Sequence, residues 1–197
     1  MRRLRLGIMI SGRGSNMVSI LNAADGPDYP AEPVLVLSNR PDAKGLETAK
    51  ARGIKAVSVD HKKFGKDREA FERELDQALK AANIEIIALA GFMRVLTPWF
   101  VREWSGRMIN IHPSLLPKYP GLHTHQRAID AGDAQAGCSV HWVTEGVDEG
   151  EIIDQASVEI LSTDTAETLA GRVLPVEHTL YPRALAKACR SILQDAE

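Results

Sequence analysis

The side chains best suited to chemistry lie between positions 108 and 148, and two of them alternate along one short extended segment. Asn110 and His112 are two residues apart, so in a strand both side chains point to the same side. An amide can donate a hydrogen bond to a developing oxyanion, and an imidazole can donate or relay a proton near neutral pH. This pair suits acyl transfer, although both side chains could equally satisfy backbone groups of a loop.

Three further polar residues could support that pair. Ser139 and His141 share one face of a later extended segment, where the sequence favours a structural role for His141. Asp148 follows on a turn-rich loop, where its carboxylate could orient His112 and favour the protonated ring. Spacing alone favours a turn-forming role for Asp148. A hydrolase triad built on Ser114 or Ser139 is conceivable, but no Gly-x-Ser-x-Gly elbow is present.

Four of the six histidines fall in this region, which raises the question of a metal site. His123 and His125 could chelate an ion, but no third ligand stands at a recognisable metal spacing. The same two residues could equally cap a helix running to Ala131. The sequence therefore predicts no metal.

A glycine-rich turn over residues 11–16 is the second candidate site. It joins the first predicted strand to the first helix, where backbone N–H groups suit an anion. Met17 stands where a dinucleotide fingerprint needs its third glycine, and no Gly-Lys-Ser/Thr follows, so dinucleotide and Walker A sites are excluded. A phosphate monoester site remains, with Ser15 and Asn16 as donors. A tight turn in which Ser15 caps the helix is an equal alternative.

Strands and helices alternate through the first half and so predict an α/β fold with a mostly parallel sheet. Strands are expected at residues 4–10, 34–37, 55–60, 84–90 and 108–111, with helices at 17–24 and 42–52 and a helix that Asp67 caps. The second half differs: residues 138–143 and 152–160 predict an antiparallel pair. Residues 166–193 predict a long C-terminal helix interrupted by Pro175 and Pro182.

Composition excludes several classes of protein. The chain has 197 residues and a net charge of −2, with 5% aromatic residues, which gives no electrostatic signature for nucleic acid or a membrane surface. Its longest apolar run, residues 86–93, is far shorter than the ~20 residues that span a bilayer. Cys138 and Cys189 are the only cysteines, so a disulfide framework is excluded and a cytoplasmic location is expected.

One long motif resembles the signature of the folate-dependent formyltransferases. It reads NIHPSLLPKYPG at residues 110–121 and continues as LHTH. Further segments match in order: SGRGSN at 11–16, LAGFMR at 89–94, SVH at 139–141 and EH at 177–178. The resemblance covers essentially the whole chain.

This resemblance implies a Rossmann-like three-layer fold. It also implies membership of the branch of the family that formylates glycinamide ribonucleotide (GAR) in purine biosynthesis. The co-substrate would be 10-formyltetrahydrofolate, and no metal would be needed. It implies a catalytic set of Asn110, His112 and Asp148 with Ser139 holding the Asp148 region or a water. GAR would be bound by Gly14, Ser15, Asn16 and Glu177. The folate would be bound by Arg68, Met93, Arg94, Val95, Leu96, Asn110, Glu145, Gly146 and Val147.

Some positions depart from the family pattern, and other functions stay open. Arg13 adds charge beside the phosphate turn, while Glu149 and Glu151 put the shape of the folate loop in doubt.

A related hydrolase of 10-formyltetrahydrofolate would carry an N-terminal regulatory domain, and formyltransferases for initiator tRNA or sugar nucleotides would carry a C-terminal one. We expect a single domain over residues 1–197 instead. A non-catalytic phosphate-binding module is a further alternative, and the sequence is compatible with a homodimer.

Overall fold

Seven strands form one sheet with helices on both faces in the computed structural model, which describes residues 2–196. The strands are β1 (Leu4–Ile10), β2 (Ala31–Ser38), β3 (Lys55–Ser58), β4 (Ile86–Leu89), β5 (Met108–His112), β6 (Gln135–Trp142) and β7 (Ile152–Glu159). The helices are α1 (Ser15–Ala24), α2 (Lys44–Ala51), α3 (Arg68–Ala81), α4 (Pro98–Glu103), α5 (Thr124–Asp130) and α6 (Ala166–Asp195), with a 3-10 turn at His61–Phe64.

The sheet order is β3-β2-β1-β4-β5-β6-β7, and the first five strands run parallel. β6 pairs antiparallel with β5, and β7 antiparallel with β6. The predicted α/β class, with its antiparallel C-terminal part and long last helix, is confirmed.

Each face of the sheet packs into its own apolar core. One core joins alternate residues of β1, such as Ile8 and Ile10, to α1, α2 and α6. The other joins Met9 and Leu37 to α3 and α4. Because both faces are covered, β4 is a continuous apolar run with every residue buried. Within residues 2–196, no helix is both long and apolar enough to cross a membrane.

α6 is one continuous helix of 30 residues, so the predicted interruptions at Pro175 and Pro182 are wrong. Pro175 is exposed and Pro182 half-buried, so the carbonyls that lose a helical donor lie toward the solvent side. Tyr181 anchors the opposite face, because its hydroxyl donates to the carbonyl of Leu89 at 2.7 Å. This contact fixes α6 against the end of β4.

Several element boundaries also differ from the prediction. The 3-10 turn and α4 were not predicted, because each spans fewer than seven residues and shows too little of the helical period. β6 begins at Gln135 rather than at Cys138, since its partner β7 extends that far. The predicted cap of α3 is confirmed, because the Asp67 side chain accepts from the N–H of Ala70.

The topology brings the candidate residues to one edge of the sheet. β1 and β4 are neighbours, although the chain passes through β2 and β3 between them. Ligands of open α/β sheets bind at such a switch point, beyond the carboxyl ends of the strands. The turn after β1, the loop after β4 and the last residues of β5 all lie at that edge.

Candidate active site

A half-buried carboxylate is the centre of the polar cluster at this edge. Asp148 places Oδ2 3.3 Å from Nδ1 of His112 and Oδ1 3.6 Å from Nε2 of His141. The backbone N–H of Gly121 also donates to Oδ2 at 2.9 Å. Three segments distant in sequence thus converge on one side chain, and two of them belong to the strands β5 and β6.

The His112 ring faces an oxygen acceptor on each of its nitrogens. Nε2 lies 2.8 Å from the carbonyl oxygen of Tyr119, which can only accept, so this nitrogen carries a proton. Nδ1 faces the carboxylate of Asp148. With acceptors on both sides, this position suits an imidazolium.

The environment of Asp148 keeps it ionised. Burial by itself raises the pKa of this carboxyl, but hydrogen bonds from His141 and Gly121, with the charge of His112, hold it below its usual range. Its backbone is left-handed, with φ of 53°, a conformation that Asp and Asn tolerate better than most residues. Asp148 therefore forms the turn that spacing favoured and also contacts the histidines.

His141 belongs to this cluster, although the sequence favoured a structural role for it. Its Nδ1 donates to the carbonyl of Trp142 at 2.9 Å, which leaves Nε2 facing Asp148 and, at 3.4 Å, the amide nitrogen of Asn110. Asn110 and His141 are paired across β5 and β6. The only signal in the sequence for this role of His141 was that it shares one face of β6 with Ser139. The register that pairs His141 with Asn110 depends on contacts between the two strands and does not follow from neighbouring residues.

A cavity of about 160 Å3 opens beside this cluster. Seven of the residues predicted to bind folate line it: Arg94, Val95, Leu96, Asn110, Glu145, Gly146 and Val147. Asp148 and His141 line it as well, together with the apolar side chains of Leu89, Phe92, Val101 and Val143. An apolar cavity with a few polar groups at one end fits a flat heteroaromatic ligand.

Two predicted folate residues lie beside this cavity rather than in its wall. Arg68 begins α3 and donates to the carbonyl of Val95. Met93 is 74% exposed and lines a neighbouring cavity with Arg94. Both residues adjoin the loop between β4 and α4.

The loop of residues 144–150 depends on glycine where it meets β6. A Cβ at Gly150 would overlap the carbonyl oxygen of Trp142, so only glycine allows this approach. Glu149, a departure from the family pattern, folds its side chain over Gly146. Glu145 forms an exposed ion pair with Arg102 at 2.7 Å.

The glycine-rich turn leaves the start of α1 uncapped. The residue before the helix is Gly14, with φ of 72° and no side-chain hydrogen bond, and Ser15 is already helical. The alternative in which Ser15 caps the helix is therefore wrong, because the left-handed turn places a glycine at that position. The first N–H groups of α1 lack a side-chain acceptor.

Asn16 connects this turn to α6. Its Nδ2 donates to Glu177 at 3.2 Å, while within residues 2–196 its buried Oδ1 has no partner. Burial raises the pKa of Glu177, and the hydrogen bond from Asn16 only partly offsets this. Tyr181 lies one turn further along α6, so its hydrogen bond to the carbonyl of Leu89 also positions Glu177.

Ser139 has partners other than those expected. Its hydroxyl donates to the carbonyl of Ser114 at 2.7 Å and accepts from the N–H of Leu116 and the amide of Gln155. It thus holds the loop after β5 and makes no hydrogen bond to Asp148 among the described residues. The prediction that Ser139 holds the Asp148 region or a water stays a prediction, and the contacts of this side chain are to the loop after β5 and to Gln155.

The remaining histidines of the region do not cap α5 with their side chains. His123 is the residue before α5, in a left-handed conformation and without a side-chain cap. His125 is half-buried, and burial lowers its pKa. In the part of the chain that the structure describes, no three His, Cys, Asp or Glu side chains are grouped to hold a metal ion.

Comparison with known proteins shows the family of the chain. The sequence profile of a family described as formyl transferase matches residues 4–185. The phosphoribosylglycinamide formyltransferase of Escherichia coli is 42% identical over 183 residues, covering 93% of this chain and 86% of the relative. The corresponding crystal structure from Brucella melitensis is 52% identical with a TM-score of 0.90, over 95% of this chain and 96% of that one.

Longer relatives match over a small part of their length. The trifunctional purine biosynthetic protein adenosine-3 of Drosophila melanogaster is 50% identical over 187 residues, 94% of this chain. The chain spans only 14% of that protein.

Proposed function

The chain belongs to the formyl transferase family, and on that premise we propose that it formylates GAR. The formyl group of 10-formyltetrahydrofolate would pass to the glycinamide amine, giving formyl-GAR and tetrahydrofolate in de novo purine biosynthesis. The observation that carries the proposal is the cluster of Asn110, His112 and Asp148 at one end of the apolar cavity. We refer to that cavity as the folate cavity.

The reaction needs no nucleophile from the protein. The amine nitrogen of GAR attacks the formyl carbon and forms a tetrahedral intermediate with a negatively charged oxygen. The bond to N10 of the folate then breaks, and N10 gains the proton that the amine loses. Since the substrate supplies the nucleophile, the protein has to orient two ligands, stabilise the oxyanion and provide a route for one proton.

Asn110 is the direct donor to the oxyanion in this proposal. Its amide lines the folate cavity at the end where Asp148 and His141 also reach it. His112 is only 6% exposed and uses both ring nitrogens within the protein, so its positive charge would act on the oxyanion through space. With those protons engaged, a water is the better relay from the amine to N10.

GAR would bind between the glycine-rich turn and this cluster. Gly14, Ser15 and Asn16 would hold its phosphate on the uncapped start of α1, and Glu177 would hold the glycinamide part. β1 and β5 flank β4, so their ends are about 10 Å apart. That separation suits a phosphate at one end of GAR and an amine at the other.

The folate would place its pterin in the folate cavity. Val95 and Leu96 form one wall, and residues 145–148 form the other. Arg68 and Met93 lie where the rest of the folate would leave the cavity. This arrangement brings N10 toward Asn110.

One assay tests the function and separates it from its alternatives. Purified protein is given 10-formyltetrahydrofolate with and without GAR, and formyl-GAR and tetrahydrofolate are measured. We expect both products in equal amounts when GAR is present. Tetrahydrofolate and formate released equally without GAR would indicate the hydrolase instead, and no turnover of either kind would indicate a binding module.

A charge reversal at the turn tests the phosphate site. Asn16→Asp is expected to raise the KM for GAR at least about tenfold, because a carboxylate would face both the phosphate and Glu177. The KM for the folate should stay unchanged. Ser19→Asp adds the same charge one turn further along α1 and should have a much smaller effect, since the N-terminal field falls off within one turn. Equal effects of the two variants would contradict the assignment.

The enzyme is expected to work without a metal ion. Dialysis against a strong chelator should leave the rate of formyl-GAR formation unchanged, because the residues assigned to the reaction bind and orient organic groups. Elemental analysis before dialysis provides the control. Stoichiometric zinc that is removed together with the activity would overturn this expectation.

We further propose that one domain over residues 1–197 carries both substrate sites and acts in the cytoplasm. The two buried cysteines, Cys138 and Cys189, are both free thiols, which suits a reducing compartment. A homodimer is compatible with this assignment, and sedimentation analysis would establish the oligomeric state.

A further inference from the structure

The loop of residues 91–96 forms one wall of the folate cavity, yet the sheet does not hold it in place. The pairing of β1 with β4 ends just before this loop, where the N–H of Ala90 donates to the carbonyl of Met9 at 2.9 Å. Gly91 then adopts a left-handed conformation, with φ of 76°, which ends the extended chain. The position of the wall therefore depends on contacts other than the sheet ladder.

A serine side chain supplies such a contact. The backbone N–H of Met93 donates to Oγ of Ser11 at 2.7 Å. Ser11 directly follows β1, is buried, and is the first residue of the glycine-rich turn over residues 11–16. One hydroxyl of the turn assigned to GAR is thus joined to a wall of the folate cavity.

A second buried side chain sets the direction of this hydroxyl. The O–H of Ser11 donates to Oδ1 of Asn39 at 2.6 Å, which leaves the lone pairs of Oγ for the N–H of Met93. Asn39 follows β2 and is only 2% exposed, and its Nδ2 lies 3.2 Å from Nδ1 of His61. Asn39 therefore holds the Ser11 hydroxyl in the orientation in which it accepts from Met93.

The rest of the glycine-rich turn has anchors of its own. The N–H of Gly45 donates to the carbonyl of Gly12 at 3.0 Å, and the N–H of Val18 donates to the carbonyl of Gly14 at 2.9 Å. A Cβ at Gly45 would meet the carbonyl oxygens of Gly12 and Arg13 at 3.2 Å, so the turn packs closely against α2. The residues assigned to the phosphate of GAR are therefore held without the Ser11 hydroxyl.

We infer that Ser11 and Asn39 are positioning residues for the folate co-substrate, although Ser11 belongs to the turn assigned to GAR. Neither residue lines the folate cavity, so both act through the loop of residues 91–96. Without its acceptor, the N–H of Met93 has to find another partner, and the loop shifts away from the position that fits a pterin. This inference rests on the proposed function, because it takes the pterin to lie in the folate cavity.

The test separates the two substrates in Ser11→Ala. With saturating GAR, the KM for 10-formyltetrahydrofolate should rise about tenfold, the usual scale for a buried N–H that loses its partner. The KM for GAR and kcat should each stay within about threefold of the wild type, because the phosphate turn keeps its own anchors. A loss of folded protein alone would lower kcat per total protein and leave both KM values unchanged.

A matched control is available at the end of β2. Ser38 is also buried, but its Oγ accepts from the N–H of Arg40, so Ser38→Ala should keep both KM values. Asn39→Ala should raise the folate KM about threefold, and Ser11→Ala/Asn39→Ala should match Ser11→Ala, because Asn39 acts through the Ser11 hydroxyl. A folate KM that stays within threefold in Ser11→Ala, or a GAR KM that rises equally, would overturn the inference.

Hydrogen exchange and calorimetry test the inference without turnover, so a failure of the proposed function would look different. In that case the wild type itself would give no formyl-GAR. Exchange at the N–H of Met93 should still be at least about tenfold faster in Ser11→Ala than in the wild type or Ser38→Ala. Tetrahydrofolate should bind Ser11→Ala about tenfold more weakly. Unchanged exchange at Met93, or unchanged affinity for tetrahydrofolate, would refute the inference.

Discussion

Replacing Asn110 with alanine is expected to lower kcat for formyl transfer by about 10²- to 10³-fold, the usual cost of losing one oxyanion donor. The amide lines the folate cavity and is the donor that the proposal assigns to the oxyanion. Since the oxyanion exists only after the amine has attacked, the loss should appear in kcat. KM for each substrate should change by less than about threefold.

A control from the same wall distinguishes this role from simple disruption of the cavity. Thr144 also lines the folate cavity but has no place in the proposed chemistry. Thr144→Val should retain kcat within about threefold, because the side chains are similar in size and no oxyanion donor is lost. A large loss in Asn110→Ala that appeared only as a higher KM for the folate would show that Asn110 binds the ligand rather than the oxyanion.

Asp148→Asn is the second change with a large expected effect, a decrease in kcat of about 100-fold or more. Asparagine keeps the size of the side chain and tolerates the left-handed backbone found at this position, so the substitution removes mainly the charge. His112 would then face an amide instead of a carboxylate at Nδ1. The imidazolium would lose its counter-charge, and with it the field that stabilises the oxyanion.

The pKa of Asp148 sets the pH range over which its carboxylate can serve as the counter-charge. Burial raises the pKa of Asp148, yet its hydrogen bonds and the neighbouring histidines hold that pKa below the usual value, so the carboxylate stays ionised as pH falls from neutral toward about 3.9. Any decline of wild-type activity between neutral pH and that value must come from other groups. In Asp148→Asn the counter-charge is absent at every pH, so kcat should stay far below that of the wild type across this range.

The measurement is a pair of pH–rate profiles under saturating GAR and folate. Both proteins should bind each substrate to within about tenfold, since binding depends on other residues. A kcat of Asp148→Asn within about threefold of the wild type from pH 6 to 9 would refute the proposed role of Asp148 as the counter-charge. Asp133→Asn is a matched control, because Asp133 lies outside the cluster and pairs with Lys118 and the hydroxyl of Tyr119.

Much of the fold follows from local patterns in the sequence. Apolar runs such as β4 and the helical spacing of α3 depend only on neighbouring residues, and so does the cap at Asp67. The left-handed turn at Gly14 likewise needs a glycine wherever the chain goes next. The alternation of Asn110 and His112 in β5 also follows from strand geometry alone, so the sequence placed both side chains on one side.

What the tertiary structure decided concerns contacts between distant segments. The pairing of Asn110 with His141 depends on the register between β5 and β6, and a shift of one residue would turn His141 to the other face. The partners of Ser139 likewise depend on long-range packing, because only the packed loop after β5 shows where its hydroxyl points. The continuity of α6 through two prolines is likewise decided by burial of its opposite face. Local sequence sets the elements and the side-chain types, whereas the proximity of His112, His141 and Asp148 arises only when long-range packing closes the fold.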